Sequence, residues 1–176
     1  VMEGKGLLFK IFSDIDVFDI EIGTKDVEEF IQTVKNIAPT FGGINLEDIK
    51  APESFEIEKR LVAELDIPVM HDDQHGTAII SSAALINALE LANKKAEDVK
   101  MVVSGAGSAA IACADLYVLL GVKVENILMF NSKGLLTKNN PALSELQQKY
   151  AQDIAPVSLA EALKGADIFL GLSSGD

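Results

Sequence analysis

The stretch Ile67–Pro68–Val69–Met70–His71–Asp72–Asp73–Gln74–His75–Gly76–Thr77–Ala78 constrains the fold more than any other part of the chain. A short apolar run ends there in two adjacent carboxylates, and a long apolar segment, Ala78 to Ala92, follows at once. A buried strand that feeds directly into a helix satisfies this order, with Asp72 and Asp73 at the carboxyl end of the strand. In open α/β sheets that end is where ligands bind. An earlier apolar run, Phe41–Leu46, closes on acids in the same way, at Glu47 and Asp48. Glu47, Asp48 and Asp73 are thus three oxygen donors at two strand ends, the donor type that a hard divalent cation such as Mg²⁺ or Mn²⁺ takes. Asp72 and Asp73 equally suit a helix N-terminus, where the macrodipole favours negative charge. Spacing alone leaves both readings open.

The same alternation of strand and helix runs along the whole chain. Leu7–Leu8–Phe9 reads as a strand after the flexible Gly4–Lys5–Gly6. Ile15, Val17, Ile20 and Ile22 alternate with charged residues as in a half-buried strand. Thr24 is placed to cap a helix over 26–38, with Val27, Phe30, Ile31 and Val34 on one face, and Pro39 ends it. Pro52 opens a helix that turns Phe55, Ile57, Leu61, Val62 and Leu65 inward, and the strand Ile67–His71 follows. Beyond it come a helix over about 75–93 and strands over 100–104, 126–130 and 167–172. A helix is expected from Asn140–Pro141, and Ser158 with Glu161 makes a capping box for a short one. The pattern predicts an α/β fold with mainly parallel sheets.

Composition narrows the function. The 17 acidic and 7 basic side chains up to Gln74, against 10 and 8 beyond it, make a net charge of −12 that is concentrated in the first half. A nucleic-acid partner is therefore not expected, because phosphate binding needs a basic face. The apolar segment 78–92 is too short for a membrane span and contains Asn87 and Glu90. One cysteine, Cys113, rules out an internal disulfide framework and fits a reducing cytoplasm. Arg60 is the single arginine, so the chain has little with which to grip a small carboxylate bidentately.

Gly105–Ala106–Gly107–Ser108–Ala109–Ala110 is a G-x-G-x-x-A turn between the apolar run Met101–Val103 and an apolar helix. The first glycine permits a tight turn, and the second lets backbone approach a pyrophosphate. The small residue at the third position lets helix and strand pack closely, while the helix N-terminus receives the negative charge. The pattern predicts NAD or NADP binding. At the end of the next strand, where an acid would hold the ribose hydroxyls, stands Asn131, with Ser132 and Lys133 beside it. Asparagine does not repel a 2′-phosphate and Lys133 can attract one, so NADP is as open as NAD.

With these pieces placed, the chain resembles malic enzymes of the compact bacterial type. The matching stretches are Met2–Glu3–Gly4–Lys5–Gly6, Asp14–Asp19, Phe41–Ile49, Pro52–Glu58, His71–Thr77, the turn at Gly105, and Ser132–Lys133–Gly134. The resemblance implies oxidative decarboxylation of malate to pyruvate and CO₂, with NAD⁺ or NADP⁺ and a divalent cation. It assigns Glu47, Asp48 and Asp73 as metal ligands, Lys5 as the catalytic lysine and Asp72 as the carboxylate beside it. Without the resemblance, Lys5 reads as a solvated surface lysine. Near a dication and partly desolvated, it is expected to lose proton affinity and act as a base. Residues 1–74 then form the end of a substrate and metal domain, and 75–176 the first half of a Rossmann-type doubly wound sheet. The family's tyrosine, substrate arginine and nicotinamide-side asparagines match nothing here, which marks the chain as an internal piece, inactive alone. A cytoplasmic homo-oligomer is expected. A malolactic enzyme yielding lactate, or a non-catalytic dinucleotide sensor, are the alternatives.

Overall fold

The computed structural model describes residues 1–50 and 52–173. The chain forms two compact units, Val1–Asp72 and a second beginning at Asp73.

The first unit opens with helix α1 (Met2–Ser13), where a strand was expected over Leu7–Phe9. Leu7, Leu8, Ile11 and Phe12 recur at i, i+1, i+4 and i+5, a helical spacing. Asp14, in the left-handed region at φ 54°, ends the helix with its N–H on the Lys10 carbonyl. Residues 14–26 carry apolar side chains among polar ones but form no strand, because no strand among the described residues pairs with them. Their apolar members still anchor the segment. Val17 lies against Gly6, the Phe18 ring is 6.0 Å from that of Phe41, and Ile22 packs on the core.

Helix α2 (Val27–Ile37) is capped by Asp26, whose carboxylate accepts from the Glu29 N–H, rather than by Thr24. Thr24 instead donates its hydroxyl to the Glu29 carboxylate. Strand β1 (Ile44–Leu46), helix α3 (Glu53–Glu64) and strand β2 (Val69–His71) complete the unit. The core gathers Ile31 and Val34 from α2, Leu46 from β1, and Ile57 and Leu61 from α3. Arg60 is committed to Glu28 and Glu56, so the lone arginine serves as a tie between α2 and α3.

In the second unit, helix α4 runs over Asp72–Ala92 and shows a buried stripe at Gln74, Ala78, Ser82 and Leu85. Strand β3 (Met101–Ser104), helix α5 (Ser108–Leu119), strands β4 (Ile127–Asn131) and β5 (Gly134–Leu135), helices α6 (Glu145–Gln148) and α7 (Leu159–Ala162), and strand β6 (Ile168–Gly171) follow. The strand order is β5-β4-β3-β6, with β3 parallel to both β4 and β6 and β5 antiparallel to β4. Met101, Val103, Ile127 and Met129 enter the larger core, while Val102 and Phe130 join Leu159 and Ala162 on the opposite side. Both sheet faces are therefore covered, as a parallel sheet requires. The helix expected from Asn140–Pro141 does not form. Asn140 turns its side chain onto the Ala142 N–H, and the Ser144–Gln147 capping box starts α6 instead. The Ser158–Glu161 box starts α7 as expected.

Tyr150 is fully buried and donates its hydroxyl to Asp115 of α5. Burial, reinforced by that carboxylate, pushes the phenol well above its ordinary value. A raised phenol contributes stability that is complete below the unfolded value of about 10 and is lost as pH rises toward the folded value. Tyr150→Phe is expected to cost about 1.5–3 kcal/mol at neutral pH, as for a hydrogen bond to a charged group. It should also flatten the stability loss above about pH 10. Urea unfolding at pH 7 and 10.5 measures both; a variant as stable as the parent would show that the hydroxyl adds nothing.

Candidate functional site

The two-stranded sheet of the first unit builds the charged cluster. β1 and β2 run parallel in a register that sets Leu46 opposite His71. The residues that follow each strand, Glu47 and Asp72, therefore emerge side by side. Each presents a carboxylate oxygen, the two lying within 4.8 Å of one another. Lys5, one turn into α1, meets both: its Nζ is 2.6 Å from Asp72 Oδ2 and 3.0 Å from Glu47 Oε2. Side chains at i and i+2 of a strand share a face, and Asn45 uses this relation to donate its amide to Glu47 Oε2 at 3.0 Å. Nothing in the sequence reading singled out Asn45, although its offset from Glu47 was the available signal.

The hydrogen bond to Asp72 is the strongest influence on Lys5 and raises its proton affinity. Partial burial opposes it, and Glu47 adds to it, so the ammonium sits above the ordinary lysine range. Two nearby carboxylates outweigh incomplete desolvation here. Lys5, Glu47 and Asp48 line a cleft of about 1010 Å³ in the first unit, whose walls include Phe9, Phe30 and Ile57.

Of the other acids, Asp48 is exposed on a left-handed residue at φ 54° and is not part of the gathered group. Asp73, also exposed, is the first residue of the second unit, one peptide bond beyond Asp72. Glu47 and Asp72 offer hard oxygen donors at a spacing that one divalent cation can bridge, so the chemistry of the donor set fits Mg²⁺ or Mn²⁺.

In the second unit the glycine turn lies where the strand order reverses, between β3 and β6. Gly105 adopts φ +118°, and a Cβ there would meet the Leu172 carbonyl oxygen at 2.5 Å. Only glycine fits. Gly107, by contrast, has φ −86° and open space where a Cβ would stand. It precedes α5, whose first turn has no side-chain cap, so backbone N–H groups at Ser108 and Ala109 remain for an anion. Ala110, 1% exposed, lets the helix close on the sheet, and Ala106 is tied by its carbonyl to the Gln147 amide. Asn131 ends β4, and its Oδ1 accepts the Lys133 N–H at 2.8 Å. The side-chain amide hydrogens of Asn131 take no part in that bond, and exposed Lys133 stands two residues on in the turn.

Comparison with known proteins identifies the family. The chain matches the family profile described as "Malic enzyme, NAD binding domain" over residues 74–174, and "Malic enzyme, N-terminal domain" over residues 1–62. An NADP-dependent malic enzyme of Salmonella typhimurium is 56% identical over 98% of this chain, and an NAD-dependent malic enzyme of Rhizobium meliloti 54% identical over 99%. The chain spans 23% of the length of each of these relatives. The crystal structure of an NAD-dependent malic enzyme from Thermotoga maritima matches with a TM-score of 0.90 and 46% identity, over 99% of this chain and 47% of that one. Among the described residues, no helix is long and apolar enough to cross a membrane.

Proposed function

The chain belongs to the malic enzyme family, and from that premise we propose that, within a chain of its relatives' length, it serves the oxidative decarboxylation of malate to pyruvate and CO₂ with reduction of NAD⁺ or NADP⁺. The observation that carries this reading is Lys5 held between Asp72 and Glu47 at the ends of two parallel strands. The first unit is the end of the substrate and metal domain, and the second is the beginning of a Rossmann-type dinucleotide domain.

Lys5 is the proton-exchanging group. As an ammonium held by Asp72 it is ready to deliver a proton to substrate, and Asp72 fixes the direction in which Nζ points. Glu47 and Asp72 would hold the cation, with Asn45 orienting Glu47. When bound, a divalent cation supplies Lewis-acid polarisation of the malate oxygens and neutralises the carboxylates that keep Lys5 protonated. The turn at Gly105–Ala109 receives the pyrophosphate on backbone N–H groups, and Asn131 meets the adenosine ribose. A cytoplasmic location and a homo-oligomeric assembly complete the proposal.

Assay of the full-length enzyme with malate and Mn²⁺, once with each cofactor, tests it by absorbance of the reduced nicotinamide. Pyruvate with equal reduced cofactor supports the reading. Lactate without net reduction assigns the scaffold to the malolactic reaction, and cofactor binding with no malate turnover reduces it to a sensor.

Cofactor choice adds a prediction at Asn131. Its amide donors suit a 2′-phosphate, which only accepts hydrogen bonds. An aspartate could accept the same Lys133 N–H while presenting its second oxygen as a negative charge. NADP⁺ is expected to be used, and Asn131→Asp is expected to shift the kcat/KM ratio toward NAD⁺ by at least about tenfold, or 1.4 kcal/mol. A parent without NADP⁺ activity, or an unmoved ratio, would place selectivity elsewhere.

A further inference from the structure

We infer that Glu58 of α3 is a positioning residue for the Lys5–Asp72 pair, acting through the His71 peptide. The inference rests on the catalytic roles proposed above. His71 is the last residue of β2 and is 1% exposed, so solvent does not reach its backbone N–H. The sheet of the first unit has only two strands, and β2 has no strand partner other than β1 among the described residues. The acceptor for the His71 N–H is the Glu58 carboxylate, Oε1 at 2.7 Å, reaching over from the neighbouring helix. A carboxylate thus does the work of a third strand at the position where the chain leaves the sheet.

Rigidity on both sides makes this contact consequential. Glu58 sits between Ile57, 3% exposed, and the turn of Leu61, fully buried, so its backbone is fixed by the core. On the other side, one peptide separates the His71 N–H from Asp72, whose carboxylate holds Lys5 Nζ at 2.6 Å. A buried N–H deprived of its acceptor has to find another partner, and the peptide rotates to do so. Any such rotation swings Asp72, and with it the proton-exchanging ammonium. Displacements of about 1 Å at a reacting group can cost about a hundredfold in rate.

The contact needs an acceptor oxygen at this reach, and either a carboxylate or a carboxamide supplies one. The test therefore compares Glu58→Met, which keeps length and packing but has no oxygen acceptor, with Glu58→Gln in the full-length enzyme. With malate, Mn²⁺ and NADP⁺, Glu58→Met is expected to lower kcat about tenfold or more, while malate KM stays within about threefold. Dinucleotide affinity, read by fluorescence titration, should be unaltered. Glu58→Gln is expected to restore most of the rate, which a purely electrostatic role for Glu58 would not allow. Should Glu58→Met fail to fold, Glu58→Asp takes its place, since its shorter side chain withdraws the acceptor by about one carbon–carbon bond and should behave like Met. Parental kcat in the Met or Asp variant, or a Gln variant as slow as Met, would overturn the inference. Amide exchange at His71 provides a readout independent of turnover: it should quicken in Glu58→Met and not in Glu58→Gln. If the parent itself fails to oxidise malate, the functional reading falls, and the exchange result still decides whether Glu58 holds the peptide.

Discussion

Lys5→Ala in the full-length enzyme is expected to lower kcat for malate oxidation by roughly 10²–10⁴, the range for loss of a general acid–base group. Dinucleotide affinity should be unchanged, because the glycine turn belongs to the other unit. The geometry accounts for the size of the effect. Lys5 Nζ is held by two carboxylates in a cleft, so its removal takes away the proton donor and leaves Asp72 and Glu47 facing each other without their cation. Lys5→Arg separates charge from proton exchange, since guanidinium stays protonated throughout the accessible pH range. It should retain the ion pair yet remain at least about tenfold slower than the parent. Steady-state rates under saturating malate decide the matter. An alanine variant that turns over near the parental rate would return Lys5 to the status of an ordinary ion-paired side chain.

The second large effect is structural and distinguishes two glycines of one motif. Gly105→Ala places a methyl 2.5 Å from the Leu172 carbonyl oxygen and 2.7 Å from its carbon, both backbone atoms that side-chain motion cannot relieve. The residue would also be strained by its φ of +118°. Left-handed or sparsely populated backbone costs about 1–3 kcal/mol, and overpacking a further 1–3. A loss of about 2–6 kcal/mol is therefore expected in urea unfolding, a large share of ordinary domain stability. Gly107→Ala should behave in the opposite way. Its backbone is ordinary and its Cβ would meet open space, so stability should hold to within about 1 kcal/mol. Dinucleotide affinity should nevertheless fall by about tenfold or more, because that open space is where a pyrophosphate approaches the first turn of α5. A Gly105→Ala protein as stable as the parent would contradict the close approach of β3 and β6. A Gly107→Ala protein that binds the dinucleotide as tightly as the parent would move the pyrophosphate elsewhere.

Much of this molecule is written in short-range patterns. The strand ending at His71 and the helix beginning beside it, the glycine turn at Gly105, and the capping box at Ser158 depend on residues within a few positions of one another, and each is found. Local reading went astray where two local signals competed. Gly4 and Gly6 suggested a turn before a strand, while Leu7, Leu8, Ile11 and Phe12 already had helical spacing. In the same way Asn140–Pro141 lost to Ser144, whose capping box satisfies two backbone donors at once. The alternation over Ile15–Ile22 failed for a different reason, since a strand exists only where another strand completes its hydrogen bonds.

The sequence by itself determined the carboxylates of the site, because Glu47 and Asp72 each follow a short apolar run, whereas Lys5 stands out only through the family resemblance. Tertiary structure alone decided that they meet. Lys5 and Asp72 are 67 residues apart, and they are brought together by a register that sets Leu46 against His71 and by the seating of α1. It also decided that Lys5 is held protonated, since that follows from how far two carboxylates stand from one ammonium. Gly105 likewise carries its reason at Leu172, 67 positions away. Periodicity and capping act over one or two turns of chain, whereas proton affinity, strand register and steric exclusion depend on distances through space, which only packing of the whole unit sets.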